Sequence, residues 1–456
     1  MERHTEMKDT ILLFDNYGTD SQNLHTSFRL AGFPYPAVVI EDNGFLPEGV
    51  MSVYGFFLGD FREVLGEGAH PKFFNQVAVP DYWEISGTNS SGSIHDGPVE
   101  RGKIFYAEPV HRRRVRIVDW YDEKGCVRSS DHYNRYGALF ARTVFNARGK
   151  KFSKSYFSAK GQEVIVENFV TGDIVLNEGA EVRIFHTKPE FIVYFLERAG
   201  FLESRIFFNS LSTPFFVSNQ LAVGAKRDIL FWQEPAREDI PGNMQVIFRG
   251  QAGRTANVMV QKRQSYDKLI ALGADKGMTH HLGHIYEFAK ENGHRPEALI
   301  CTNTDRLEQC KILIESLPQM HFHIAALTEM SSKLMNLDNY GNVSLYPGVK
   351  QKILDSLFEE CDFYFDINHE TEIVSAVRRA FLHNQLIFAF QETAHNRDYV
   401  ADVHVYPASN VNRMIADVRK AMKDAAVLDQ RLERQREAAM AETAERYVEA
   451  CSLFHG

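Results

Sequence analysis

Four glycines spaced twelve residues apart, at 125, 137, 149 and 161, constrain this chain more than any other feature. Each closes a similar tetrapeptide: DEKG at 122–125, NRYG at 134–137, NARG at 146–149 and SAKG at 158–161. An Asp, Asn or Ser at the first turn position bonds the backbone ahead of it, and Gly at the fourth accepts positive φ, so each tetrapeptide specifies a type I turn with a G1 bulge. Between the turns lie runs rich in β-branched and aromatic residues, at 116–121, 127–133, 139–145, 152–157 and 163–170. Consecutive hairpins of equal length predict an antiparallel meander.

Around this block the pattern changes. From about residue 295, apolar runs at 298–301, 322–327, 343–346, 363–367 and 386–390 alternate with helical patterns at 305–317, 331–336, 350–360 and 372–383. Continuous apolar strands separated by helices predict a parallel, doubly wound sheet. A helical tail rich in Ala, Glu and Arg follows over 410–454. The N-terminal part reads the same way, with strands 10–14 and 37–40 around helix 21–31. The pattern resumes after the meander, with helix 189–199, strand 205–209, helix 214–219 and strands 228–232, 257–260 and 280–284. We therefore expect one α/β domain interrupted by the meander and a second one following it. If the two face each other, a cleft lies outside the carboxyl ends of both sheets.

The net charge of −9 is unevenly distributed. Residues 101–160 carry fifteen Lys/Arg against five Asp/Glu, so a +10 block sits in a chain whose remainder carries −19. Such asymmetry fits a basic face with an acidic partner, or solvated strands that guard a sheet edge. No run approaches the ~20 apolar residues of a membrane-spanning helix. The apolar run behind the charged N-terminus, at 11–14, is too short for a secretory h-region. Five cysteines, at 126, 301, 310, 361 and 451, form no CxxC pair, which argues against a disulfide scaffold or zinc ribbon and for the cytosol.

Strong chemical motifs are absent. The chain has no GxxxxGK[ST], GxGxxG or HExxH, and no Ser-His-Asp or Cys-His signature, so no catalytic or metal-binding residue is assigned. His280, His281 and His284 cluster in a predicted strand, a poor metal site. The distinctive segments are loops at predicted strand ends: 41–47 (EDNGFLP), 232–235 (WQEP) with 241–245 (PGNMQ), and 366–370 (DINHE). Their amides, carboxylates and aromatics suit hydrogen bonding to a sugar or a peptide, and equally suit helix capping.

The stretches EDNGFLPEGVMSVYGFFLGD (41–60), FFNQVAVPDYWEI (73–85), ENFVTGDIVL (167–176), DILFWQEPAREDIPGNMQ (228–245), HFHIAALTEMSSKL (321–334) and FDINHETEIVSAVRRAF (365–381) resemble the stabilising subunit of the two-protein O-GlcNAc transferase of the bacterial accessory Sec system. The resemblance runs in order over nearly the whole chain. It implies an α/β GT-B fold, with two Rossmann-like domains facing a cleft and an inserted antiparallel β-meander. The expected divisions are 1–50 with 187–294, 51–186, and 295–456. It also implies a cytoplasmic, cofactor-free, non-catalytic subunit in a hetero-oligomer with two copies each of itself and a catalytic glycosyltransferase. The implied acceptor is a serine-rich repeat adhesin, modified from UDP-GlcNAc before export.

Active retaining relatives of this fold carry two glutamates in an E-x7-E arrangement. Here the first acid would be Glu370 or Glu372, and eight residues on stand Arg378 and Ala380, so the second carboxylate is missing. Arginine has no acceptor atom for a ribose hydroxyl. Arg306 and Lys311 keep the R-x4-K spacing used for donor phosphates, although both fall in or beside a predicted helix. An independent retaining glycosyltransferase with a divergent donor site is the alternative. A nucleic-acid binder, prompted by HRRR at 111–114, is disfavoured by the acidic remainder. Acceptor binding is assigned to Asn43, Phe45, Trp232, Glu234, Asn243 and His369. Sheet-to-sheet contact through 51–186 is expected to hold the complex, with anionic lipid at the inner membrane face as a second contact for the basic strands.

Overall fold

The computed structural model describes residues 9–221 and 228–452. The charged N-terminus and the last residues of the predicted tail fall outside them. The chain forms two compact units, one from 1–282 with 444–456 and the other from 283–443.

The first unit opens with β1 (Thr10–Asn16), β2 (Ala37–Glu41) and β3 (Val50–Ser52). Ten antiparallel strands follow: β4 (Glu84–Gly87), β5 (Ser91–Asp96), β6 (Val99–Tyr106), β7 (Val115–Tyr121), β8 (Val127–Tyr133), β9 (Leu139–Phe145), β10 (Lys151–Phe157), β11 (Glu163–Asn168), β12 (Ile174–Glu178) and β13 (Glu181–Phe185). They pair in simple sequence order into one sheet, a meander edged by β4 and β13. Strands β7 to β11 fall where the glycine period predicts them. Gly125, Gly137, Gly149 and Gly161 all have φ between 70° and 78°, as the bulged turn requires. The sequence pattern missed β4 to β6 and β12 to β13.

Strands β14 (Arg205–Phe208), β15 (Asp228–Trp232), β16 (Thr255–Val260) and β17 (Thr279–His281) then complete the first parallel sheet, ordered β17-β16-β15-β14-β1-β2-β3. Both faces are covered. Ile11 and Leu13 point into a cluster with Val38, Phe191 and Phe195, and all five are fully buried. On the other face Phe28 packs against Phe207, Phe231 and Tyr447 with ring centroids 5.4–5.5 Å apart. Burial on both faces is why these strands read as continuous apolar runs. The amino ends are tied by Asp228, which accepts from Arg254 at 3.0 Å and from Ile206 N at 2.9 Å.

The second unit holds β18 (Glu297–Thr302), β19 (His321–Ala326), β20 (Val343–Tyr346), β21 (Phe363–Asp366), β22 (Leu386–Phe390) and β23 (Val405–Tyr406), ordered β20-β19-β18-β21-β22-β23 and all parallel. Taken separately, the second sheet has the three-two-one-four-five-six order of an open doubly wound sheet, and the first continues the same order with a seventh strand, β17. Here too a buried aspartate ties the amino ends. Asp362 accepts from Lys290 at 2.6 Å and from Arg295 at 2.9 Å, and against the pull of burial these cations hold its pKa down to about 2.

Several helices start later than predicted. Helix 305–317 is reduced to Cys310–Ser316, because Thr302 turns the chain back onto the Thr304 carbonyl (2.7 Å) and Gln309 sits at φ 51°. Arg306 is therefore a loop residue. Helix 372–383 is reduced to Ala376–Leu382, behind Val374 and Ser375 at φ 51° and 50°. The predicted tail is three helices, Val411–Lys423, Ala425–Ala438 and Ala444–Ser452, broken at the capping Asp424 and at Met440 (φ 58°).

Candidate functional site

In a doubly wound sheet, ligands gather at the carboxyl ends of the strands. In the first unit β1 ends at Asp15 and Asn16, and β2 at Glu41, with Asp42 just beyond it. The meander and the following helix supply the groups opposite them. Lys188, the first residue of helix Lys188–Ala199, reaches Glu41 at 2.7 Å and Glu167 at 2.9 Å. Tyr54 donates to Glu167 at 3.4 Å and stacks on Tyr156 with centroids 4.3 Å apart. Lys154 stands 4.7 Å from the centre of the Tyr156 ring and, among the described residues, has no ion-pair partner.

The electrostatics follow from burial and neighbours. Burial lowers the Lys154 ammonium, opposed by Glu41 and Glu167. Burial and the Glu41 charge raise Asp15. Burial would raise Glu41 as well, but the charge and bond of Lys188 hold it below the usual range. Behind this front row, amides close a ladder. Asn209 accepts from Asp15 N at 3.0 Å and donates to Gln233 at 3.1 Å, which in turn donates to Gln261 at 2.6 Å.

The β2–β3 loop is locked onto the meander. Gly44 has φ +83°, and a Cβ there would lie 2.6 Å from the Tyr133 carbonyl, so only glycine allows this approach. Arg135 N donates to Gly44 O at 2.7 Å, and its guanidinium donates to Leu46 O at 3.0 Å. Beside the loop opens a pocket of about 390 Å³ whose walls include Phe45, Arg62, Arg114, Arg135 and Tyr136.

The carboxyl ends of the second sheet carry polar groups already bonded to one another. Arg306 pairs with Glu370, and His369 meets Glu308 at 2.6 Å. His395 meets Asp366 at 2.6 Å, and that bond carries its pKa up to about 9 despite burial. Glu372 accepts from Val377 N at 2.8 Å, and burial raises its carboxyl. Arg378 donates to Tyr399 at 3.3 Å, and Ala380 is fully buried. Lys311 lies on the exposed face of its helix, 3.8 Å from Glu315. The R-x4-K pair therefore reaches two different carboxylates of the chain itself.

Of the residues assigned to acceptor binding, Asn43 is exposed, and its side chain accepts from Phe45 N at 2.9 Å. Phe45 lies partly exposed beneath Arg114. Glu234 is 3.6 Å from Arg237, and Asn243 donates to the Leu211 carbonyl at 2.9 Å. His369 lies in the other unit. Trp232 needs correction: it is 2 % exposed, in the core beneath the sheet. Its place at the end of an apolar run next to a polar loop suggests a binding contact, but it is the last fully packed residue of β15. Sequence reasoning missed Lys154, Glu167 and Lys188. A period-two reading exposes the first two: Lys154 shares a strand face with buried Tyr156, and Glu167 with buried Ile165.

Four sequence families match in order: the GtfB N-terminal domain over 11–57, the GtfB middle domain over 83–186, the GtfB third domain over 188–272 and the GftB/GlyA-F C-terminal domain over 298–435. A Streptococcus agalactiae relative, named as the UDP-N-acetylglucosamine–peptide N-acetylglucosaminyltransferase stabilizing protein GtfB, is 43 % identical over 96 % of this chain and 98 % of its own. Among solved structures, a chain of the GtfA/B complex bound to UDP and GlcNAc aligns at a TM-score of 0.92 and 41 % identity, over 98 % of this chain and all of that one. The pneumococcal O-GlcNAc transferase GtfA aligns at 0.50 and 10 % identity over 98 % of this chain and 99 % of its own, a likeness of fold alone. The chain belongs to the GtfB family of stabilising proteins of UDP-N-acetylglucosamine–peptide N-acetylglucosaminyltransferases.

Proposed function

We propose that this chain is the non-catalytic subunit of a two-protein O-GlcNAc transferase. It stabilises a catalytic glycosyltransferase subunit and presents the Ser/Thr-rich acceptor, a serine-rich repeat adhesin modified in the cytoplasm before accessory Sec export. The near full-length likeness to a chain of the GtfA/B complex carries this reading. The polar groups of the second unit support it: the one candidate glutamate pairs with Arg306, the other bonds the chain at Val377 N, and no second carboxylate follows either. Catalysis of glycosyl transfer needs polar groups preorganised toward the donor, and these are engaged with each other.

In this reading the architecture is GT-B, divided at 1–50 with 187–294, 51–186 and 295–456. The meander docks onto the catalytic subunit, two copies of each chain assemble, and its basic strands touch the inner membrane face. The free edge at β13, where Val182 is 63 % and Ile184 59 % exposed, supports a docking role. Acceptor contact falls to Asn43, Phe45, Glu234, Asn243 and His369, with Lys154 available to a backbone carbonyl or hydroxyl. Fluorescence anisotropy with an unmodified Ser/Thr-rich polypeptide tests this part. Asn43→Ala and Asn243→Ala should each weaken binding by a factor of about three to ten, the worth of one net hydrogen bond. Wild-type affinity in both variants would remove the assignment.

A further inference from the structure

We propose that the pocket beside the β2–β3 loop is an oxyanion site that receives the carboxylate of an acidic residue in a bound polypeptide. Its lining includes Arg114 and Arg135, from different hairpins, and among the described residues neither has an ion-pair partner. Each is held in place by a main-chain carbonyl: Arg114 donates to Glu108 O at 2.7 Å and Arg135 to Leu46 O at 3.0 Å. Each also lies over an aromatic ring, Arg114 over Phe45 at 5.8 Å and Arg135 over Tyr136 at 5.9 Å. The Nε of Arg114 is buried and has no hydrogen-bond partner. Two fixed cationic forks with unused donors form a receptor for a planar oxyanion.

The rest of the wall selects among oxyanions. Arg62 is occupied by Glu48 and Glu67, each at 3.7 Å, and the Glu108 side chain is exposed on the wall. A singly charged carboxylate fits beside that acid better than a doubly charged phosphate, which it would repel. Phe45, Pro47, Pro71 and Tyr136 add apolar surface suited to extended peptide rather than to a small ion alone. For the acceptor as source of the carboxylate, the proposal rests on the acceptor-binding reading of the 43–45 loop. The partner subunit is the other source of the same chemistry.

Arginine Nε–Hε NMR of the full chain tests the site directly. N-acetylglutamate amide is titrated at constant ionic strength, with N-acetylglutamine amide as the neutral control, and Arg114→Lys and Arg135→Lys assign the signals. Both signals should shift with the acid and stay still with the amide; no shift at either arginine overturns the proposal. Peptides then separate the sources. A Ser/Thr-rich peptide carrying one Glu should bind about five-fold more tightly than its Gln counterpart. The Arg114→Gln/Arg135→Gln double variant should lose that preference, binding the Glu and Gln peptides equally. An undiminished preference in the double variant also overturns the site. If neither peptide binds but the free acid still shifts both arginines, the acceptor reading fails and the site remains. The double variant should then lose affinity for the catalytic subunit instead, and unchanged affinity there refutes the polypeptide carboxylate.

Discussion

The two parallel sheets share one strand order but finish their carboxyl ends differently. In the second sheet the end groups bond one another: Arg306 with Glu370, His369 with Glu308, His395 with Asp366. In the first sheet they remain partly unsatisfied. Lys188 is shared between Glu41 and Glu167, Asp15 is pushed toward protonation by burial and Glu41, and Lys154, within reach of the Glu41 and Glu167 charges, has no ion-pair partner among the described residues. One sheet order can thus support a closed network or one that still has bonds to offer. Under the function proposed above, the open one meets the acceptor.

The largest effect expected separates packing from binding. Trp232→Ala should cost about 3–5 kcal/mol of unfolding free energy, because a buried indole is removed from the core. Urea denaturation reads this directly. If the variant kept wild-type stability while acceptor binding fell, Trp232 would be a surface contact after all.

The next effect sets the two lysines of the first sheet against each other. Lys188→Met leaves Glu41 and Glu167 without their shared cation and should cost about 3 kcal/mol. Lys154→Met removes a desolvated charge that has no ion-pair partner among the described residues. It should leave stability unchanged or raise it by roughly 1 kcal/mol. Equal losses from both substitutions would show that the end of the first sheet is as closed as that of the second.

A smaller effect distinguishes the sheets by pH. The pKa of His395 is carried up to about 9 by Asp366, above its unfolded value. Its contribution is complete below pH ~6.5 and lost as pH rises through about 9. Lys154 acts with opposite sign. Burial holds it below its usual value, so the unfolded chain binds more protons in the alkaline range and the first unit gains stability as pH rises there. His395→Asn should flatten the alkaline loss of the second unit, followed by hydrogen exchange in β21 and β22. An unchanged loss would place its origin elsewhere.

The meander and the sheets were legible for local reasons. A twelve-residue repeat of turn residues dictates hairpins without long-range information, and β7 to β11 fall where it puts them. Strand β5, SGSIHD, was missed because Ser, Gly and His show no alternation, and its place comes from pairing with β6. The site was less legible. Asn43, Phe45 and Glu234 follow the ends of β2 and β15, while Asn243 sits in helix Gly242–Phe248; Lys154, Glu167 and Lys188 come from β10, β11 and a helix start more than a hundred residues beyond β2. Only the inward strand face of Lys154 and Glu167 hinted at it, and charged residues on such a face are rare enough to be read as errors of register.

Under the function proposed above, this chain carries no transferase activity of its own and confers acceptor use on a partner. Incorporation of GlcNAc from UDP-GlcNAc into an unmodified Ser/Thr-rich polypeptide tests it, measured with this chain alone, with the catalytic subunit alone, and with both. Transfer should be absent with this chain alone and strongest with the pair. Sugar transfer by this chain alone, or equal transfer by the catalytic subunit with and without it, would contradict the account.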